Sequence, residues 1–561
     1  MQYGGSLDLL VAYLNQPLVL AAVATITVLI LTTGLLSGGP SMATGDGNKK
    51  LPPKVSFWLP FLGHAPQMLL GGDAFLAKLR SRYYADGVFS LRILGRFHHF
   101  VFRPEMANTL LNRPLSIAQD PSGNILVSMF GMTKEDEAVY ASLADEARAS
   151  LKHLLQDPGL GELVSRTIVY IKENIADFVT FNSYPADQMG WERLAGAEVV
   201  ENPRGESYVE ADLMLLTKNF IAMTANVSLY GTDFVENFPD IWQSMWDFDS
   251  AFVLLAARIP NWIPWPRLQR ARNAQRKLLA CAREFGEALD KHVSGEEPGL
   301  KWQDLDNVSR VVKARHETYR RHGLSLHGRA GCDLGFLWAM NTNANALVPW
   351  VLFELYRDPV LLEQVREEIA PYVRVVQPAN DFGDAVWVPA ELESLDLDGL
   401  LNKCPLLLAA YMETLRVYTG PLNLRWLAED VVVDDKSHGQ SFVLRKGGYV
   451  HVAQEMHQRD PEFFPDPHEW HHERHLKEKV DEAGKKTVVA EMGTMRPFGE
   501  CVETLLRNKL ANCRPQAPDR GYARAGPLRC ERLCCTRPSS SPFTTWSRLS
   551  GRAGSCPRRT S

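Results

Sequence analysis

A glutamate and an arginine three residues apart, Glu413 and Arg416, stand inside a run that is otherwise almost wholly apolar. Residues 405–425 read PLLLAAYMETLRVYTGPLNLR. Leu406, Leu407, Ala410, Leu415 and Val417 supply the buried face of a helix about three turns long. A spacing of three puts the two charges on one face of it. Glu and Arg so spaced are ordinarily a solvated surface pair of little energetic weight. Within this apolar run they would be desolvated, which costs several kcal/mol per ion unless further hydrogen bonds offset it. The rest of the fold has to supply those bonds.

The residues that follow narrow the choice. RWLAED at 425–430 leads into a β-branched run at 431–433, and a Lys446-Gly447-Gly448 turn opens onto YVHVA at 449–453, which predicts a β-hairpin. DPEFFPDPHEWHHERHL at 460–476 is a proline-punctuated loop carrying Arg474, and Met495-Arg496-Pro497-Phe498-Gly499 comes next. Helical E-x-x-R, hairpin, D-P-x-x-F-P-D-P, a further arginine and R-P-F-G in this order resemble the haem-thiolate monooxygenases of the cytochrome P450 family. The resemblance reaches back to about Leu51. It implies a mainly α fold with a small β-rich lobe. It further implies that Glu413, Arg416 and Arg474 form a buried triad under the haem-ligand loop, and that Arg425, Arg496, Phe498 and Gly499 lie against haem b. The protein is expected to contribute binding and orientation while the haem iron does the oxidation, and no other metal is expected.

Near the N-terminus, residues 18–36 (LVLAAVATITVLILTTGLL) carry no charge over nineteen positions, enough to span a bilayer as one helix. A cleaved signal peptide would begin with a basic segment, whereas residues 1–17 hold Asp8 and no Lys or Arg. Lys49, Lys50 and Lys54 follow the apolar stretch, so the positive-inside rule places residues 1–17 in the lumen and the remainder in the cytosol. Residues 37–56 read as a Gly/Ser-rich linker and a proline-rich hinge, because prolines at 52, 53 and 60 exclude helix. A hinge after an anchor resembles the segment that orients microsomal members of the family, so an endoplasmic-reticulum anchor with the catalytic domain at 57–499 is expected.

Residues 87–103 alternate as a hairpin, and the pattern from 104 to 331 is mostly helical, including 134–156, 211–229 and 267–293. The family's tryptophan and arginine four apart is missing from 134–156, where Arg148 or Lys152 is the substitute. Asn226 and Asn307 begin glycosylation sequons, which a cytosolic body leaves unmodified. Residues 332–357 read as one long apolar helix with a polar centre, Asn341-Thr342-Asn343-Ala344-Asn345. Most members of the family carry an acid and a threonine there to pass protons to iron-bound dioxygen. An asparagine at the acid position, with Pro349-Trp350 and N-L-R-x-x-x-E-D at 423–430, resembles the branch of sterol 7α- and 12α-hydroxylases and prostacyclin synthase. That resemblance makes Asn341, Thr342 and Asn343 the catalytic candidates. The plainer alternative is that these amides satisfy one another in a kinked helix.

The end of the chain breaks the pattern. Counting from Phe498, the family's ligand cysteine falls at Leu505 and its second glycine at Cys501. A thiolate ligand pushes electron density onto iron, and leucine has no such pair to give. Six of the nine cysteines lie beyond Gly499, at 501, 513, 530, 534, 535 and 556, together with a net charge of +8 that leaves −13 on residues 1–499. The spacing lacks the paired C-x-x-C of zinc sites, and a nucleic-acid arm would interleave aromatics with its arginines. The reading frame is therefore expected to be lost near Glu500, leaving 500–561 as an aberrant, disordered tail. The expected function is monooxygenation of a hydrophobic small molecule, sterol- or terpenoid-like, with electrons from NADPH through a membrane reductase and no nucleic-acid partner. The alternatives are a peroxide isomerase or dehydratase on the same fold, and a non-catalytic product lacking the haem cysteine.

Overall fold

The computed structural model describes residues 17–44, 49–111, 117–119, 122–205, 207–256, 259–260, 262–379, 388–420, 422–480 and 484–495. Two compact units divide the chain, Met1–Pro121 with Leu422–Asp460, and Ser122–Pro421 with Pro461–Ser561.

The first unit holds the apolar helix Pro17–Leu36, exposed along most of its length, and two small sheets. Val88–Ile93 and Arg96–Val101 form the expected hairpin, closed by Leu94 and Gly95, both at positive φ (46° and 80°). That conformation at both loop positions is what a two-residue turn needs to match the strand twist. Tyr449–Ala453 adds to Arg96–Val101 in parallel and to Leu422–Leu427 antiparallel. Here the sequence reading is corrected: residues 431–433 do not pair with 449–453. Val431–Asp435 pairs instead with Gln440–Leu444 across a tight turn, a strand the reading passed over, and Tyr449–Ala453 completes the other sheet. The shorter loop closes at less entropic cost. Val88, Val101, Met106, Val433, Phe442, Leu444, Val450 and Val452 are buried together between the sheets.

Helices make up most of the second unit. Side-chain caps fix many starts: Thr133 for Lys134–Ala149, Asp212 for Leu213–Tyr230, Ser309 for Arg310–Arg321, and Asp358 for Pro359–Ile369. Pro266–Val293 packs on Ile241–Ser250 and on Leu326–Asn341, while Leu213–Tyr230 packs on Gly159–Asn174 and Ala344–Arg357. The single helix expected over 332–357 is corrected to two, Leu326–Asn341 and Ala344–Arg357. Asn341, Thr342 and Asn343 turn their side chains back to the carbonyls of Leu337, Trp338 and Ala339 at 2.8, 3.0 and 3.2 Å. Such back-bonding bends a helix. Pro349, with no N–H to give the carbonyl four residues earlier, loosens the second half further.

Candidate functional site

The helix Pro405–Tyr418 starts without a capping side chain of its own. Glu368 does that work from the helix Pro359–Ile369, its carboxylate accepting from the N–H groups of Leu406 and Leu407 at 2.9 and 3.0 Å. Leu406, Leu407 and Ala410 pack against Leu355, Leu361 and Val365, which turns the opposite face toward residues 461–495. On that face lie Glu413 and Arg416, both 0% exposed. Arg416 grips the carboxylate with both arms, Nε to Oε2 at 2.8 Å and Nη2 to Oε1 at 2.7 Å. Its remaining donors reach the carbonyls of Pro467 and Glu469 at 2.7 and 2.8 Å.

Glu413 is equally surrounded. The N–H of His471 donates to it at 2.9 Å, Nε2 of His475 lies 3.0 Å away and Nε of Arg474 3.3 Å. Burial alone would raise its carboxyl; the bonds from Arg416, His475 and His471 outweigh that and hold it down at about 2. The structure thus brings Glu413, Arg416 and Arg474 together. It adds His475, which the sequence reading missed and whose other ring nitrogen faces the carbonyl of Glu491 at 3.1 Å. The signal was available: a histidine directly after the arginine of a loop already assigned to a buried carboxylate. Trp470 Nε1 donates to Thr414 Oγ1 at 3.1 Å, and Met412, Phe464 and Met495 are buried together. The chain is therefore held down firmly as far as Met495. Arg496, Phe498 and Gly499, like Cys501 and Leu505, lie outside the described residues.

At the helix break, Asn341 faces Leu213–Tyr230. Its side-chain oxygen accepts from Asn226 at 2.7 Å and from Asn345 at 3.1 Å, and its amide donates to Asn226 at 3.1 Å. All three asparagines are buried, so the sequon spelled at Asn226 is sealed inside the fold. Thr342 is buried too, and its hydroxyl is committed to Trp338. One turn earlier, Trp338 stacks on Phe252 with centroids 4.1 Å apart, and Phe130 lies 5.8 Å from it. Trp338 Nε1 donates to Asp249 at 3.0 Å, while burial pushes the Asp249 carboxyl above the usual range despite the pull of Lys218. Asp249 was not singled out from sequence because its partners lie on other helices. In the other unit, Arg425 is partly buried on Leu422–Leu427, its guanidinium donating to the carbonyl of Leu424 at 3.1 Å.

The cytochrome P450 family model matches residues 211–499. The chain belongs to the cytochrome P450 family. Cytochrome P450 7B1 of Mus musculus is 25% identical over 473 residues, 82% of this chain and 80% of that protein. Cytochrome P450 7A1 of Rattus norvegicus is 22% identical over 463 residues, 77% of each. A cytochrome P450 monooxygenase of Gibberella zeae is 24% identical over 257 residues, 45% of this chain, which spans 44% of that relative. The family reading and the resemblance to its sterol-hydroxylase branch stand, and the chain is of an enzyme type, the P450 monooxygenases.

Family membership implies haem iron, so the donors present have to be tested against it. Among the described residues the cysteines are Cys281, Cys332 and Cys404, the last two buried. Burial pushes their thiols up to about 11, 12 and 11. Burial thus favours the thiol form of each, so none is held ready as a thiolate. With leucine at 505, the ligand slot has no donor either. Among the described residues, and with leucine at 505, the donors do not fit a haem-thiolate centre.

Proposed function

We propose that residues 57–499 are the body of a haem-dependent monooxygenase that hydroxylates a hydrophobic, sterol- or terpenoid-like molecule, and that the ligand loop has been lost after Gly499. The observation that carries this reading is the intact Glu413–Arg416–Arg474 network. It secures residues 461–495, a segment that in this family leads into the ligand loop, yet the slot itself holds Leu505. A buried carboxylate flanked by two arginines carries a desolvation cost that only a closed set of hydrogen bonds offsets, and that set is complete here. The end of the family match at residue 499, where composition also shifts, supports the boundary. Asn341, Thr342 and Asn343 remain the residues proposed at the oxygen-handling turn, and Arg425, Arg496, Phe498 and Gly499 those proposed around the haem. The helix Pro17–Leu36 followed by Lys49, Lys50 and Lys54 supports anchorage in the endoplasmic-reticulum membrane with the body cytosolic, where a reductase would deliver electrons from NADPH.

Reading the DNA downstream of codon 499 in the other two frames tests the lost-loop reading. A frame spelling G-x-x-x-C-x-G followed by an amphipathic helix is the expected result. Fusing that segment after Gly499 should then give a haem protein whose ferrous–carbonyl Soret band reports thiolate ligation, and failure to take up haem would sink the assignment. A second reading, rearrangement of a lipid peroxide without external electrons, is favoured by the asparagine cluster at 341–345, which holds no acid. Turnover of a hydroperoxide by the restored protein without NADPH would select it, and strict NADPH dependence would exclude it.

A further inference from the structure

Within the second unit, a cleft of about 250 Å³ opens between the starts of the helices Gly159–Asn174 and Arg310–Arg321. Gly159, Leu163, Val308 and Ser309 line it and are buried. Only glycine fits at 159, where a Cβ would stand 2.2 Å from the carbonyl oxygen of His153. Ser309 caps the second helix, its oxygen accepting from the N–H of Val312 at 3.4 Å, which leaves its own O–H for a ligand.

Three cations complete the lining, Arg166, Arg310 and Lys313. Arg310 is matched already, its Nε lying 2.8 Å from the Glu162 carboxylate. Arg166 and Lys313 are in ion-pair contact with no carboxylate among the described residues. They donate instead to the backbone carbonyls of Asn307 and Asp306, at 2.6 and 2.8 Å. The Asp306 carboxylate turns to His292, 3.2 Å away. A carbonyl satisfies a donor without supplying a countercharge, so two positive charges face the cleft unmatched. Both side chains are half-buried, where charge is screened less than on open surface.

The turn that carries those two carbonyls is itself pinned. Asn307 Nδ2 donates to Thr232 Oγ1 at 2.9 Å, and the N–H of Ser309 to the carbonyl of Leu229 at 3.0 Å. Arg166 and Lys313 are therefore held in position before a ligand arrives, and little side-chain freedom is left to lose on binding. A fork-shaped guanidinium, a compact ammonium and a buried hydroxyl around one small cleft suit a phosphate group, which carries nearly two negative charges at neutral pH.

We propose that this cleft binds a phosphate dianion, either free phosphate or the head of a small phosphate ester, through Arg166, Lys313 and Ser309. Bound there, the anion bridges the two helix starts and stabilises the folded chain as its concentration rises. The full-length chain in detergent, titrated by calorimetry with inorganic phosphate and with glycerol phosphate, tests it. Saturable binding at a single site is expected. Lys313→Gln should weaken it about tenfold, and Lys313→Arg, which keeps the charge, should retain it. Glu162→Gln removes a negative charge from the cleft and releases Arg310, so it should tighten binding several-fold, a gain that misfolding does not produce. Tighter binding of the ester would assign the site to esters, and equal or weaker binding to free phosphate. No saturable binding of either anion, or binding that Lys313→Gln and Glu162→Gln both leave unchanged, would overturn the proposal.

Discussion

At the scale of single residues, the weight of Arg416 depends on burial alone. On a surface its removal would cost at most about 1 kcal/mol. Here Arg416→Ala strands the Glu413 carboxylate, so the expected loss is roughly 3–5 kcal/mol. Lys446→Ala, on an exposed turn, is expected to be silent. Denaturant midpoints of the detergent-extracted chain would decide, and near-parental stability of Arg416→Ala would remove the organising role given to this pair. Glu413→Ala and Arg416→Ala combined should fall well short of the sum of the single losses, as partners in one network do. The acid side follows from the sign of the shift. Glu413 is held at about 2 against 4.5 when unfolded, so its contribution is complete above the unfolded value and is lost as pH falls through about 2.

Among the elements, the helix break and the sheet that joins Arg96–Val101 to Tyr449–Ala453 carry separate expectations. Asn341→Leu takes from buried Asn226 the acceptor of one amide N–H and the donor to its oxygen, leaving only the bond to Ala222, at a cost of about 1–3 kcal/mol. Asn226→Leu with Asn341→Leu should recover part of that loss, and a double variant as unstable as the sum of the singles would mean the pair does not couple. In the sheet, burial pushes His99 down to about 4 and His98 to about 3, and His451, whose Nε2 lies 2.8 Å from His98 Nδ1, well below its ordinary value. Folded, these rings stay neutral while the unfolded chain binds protons from 6.5 downward, so stability drains away from that pH toward about 3. Hydrogen exchange corrected for its intrinsic pH dependence should therefore show Arg96–Val101 and Tyr449–Ala453 loosening between about pH 6.5 and 4.5, before Glu413 begins to titrate. Simultaneous loosening of Pro405–Tyr418 in that window would contradict the assignment.

For the whole molecule, a family body runs into a terminus that spells leucine where the family's ligand cysteine is counted. The full 561-residue chain is expected to take up no haem, and a thiolate-type Soret band from it would overturn that and point to Cys501 as an out-of-pattern ligand. Much of this was legible in the residues themselves. Uninterrupted apolarity marked the helix at 17–36, alternation marked the hairpin at 88–101, and two charges in an apolar run announced a buried pair, because each signal is local and repeats with the period of its element. Motif counting likewise put leucine in the ligand slot. Pairings between distant segments left no such trace. Tyr449–Ala453 found Arg96–Val101, His475 closed the shell around Glu413, and Asn226 reached Asn341 from another helix. Composition read residues 37–56 as linker and hinge, yet backbone hydrogen bonds tie down residues 37–44, since any residue's N–H and C=O can pair wherever the fold brings a strand alongside. The sequence alone set which groups had to be buried and which ligand was missing, and only tertiary structure chose their partners, because a buried polar group must be satisfied by whatever the packing places beside it.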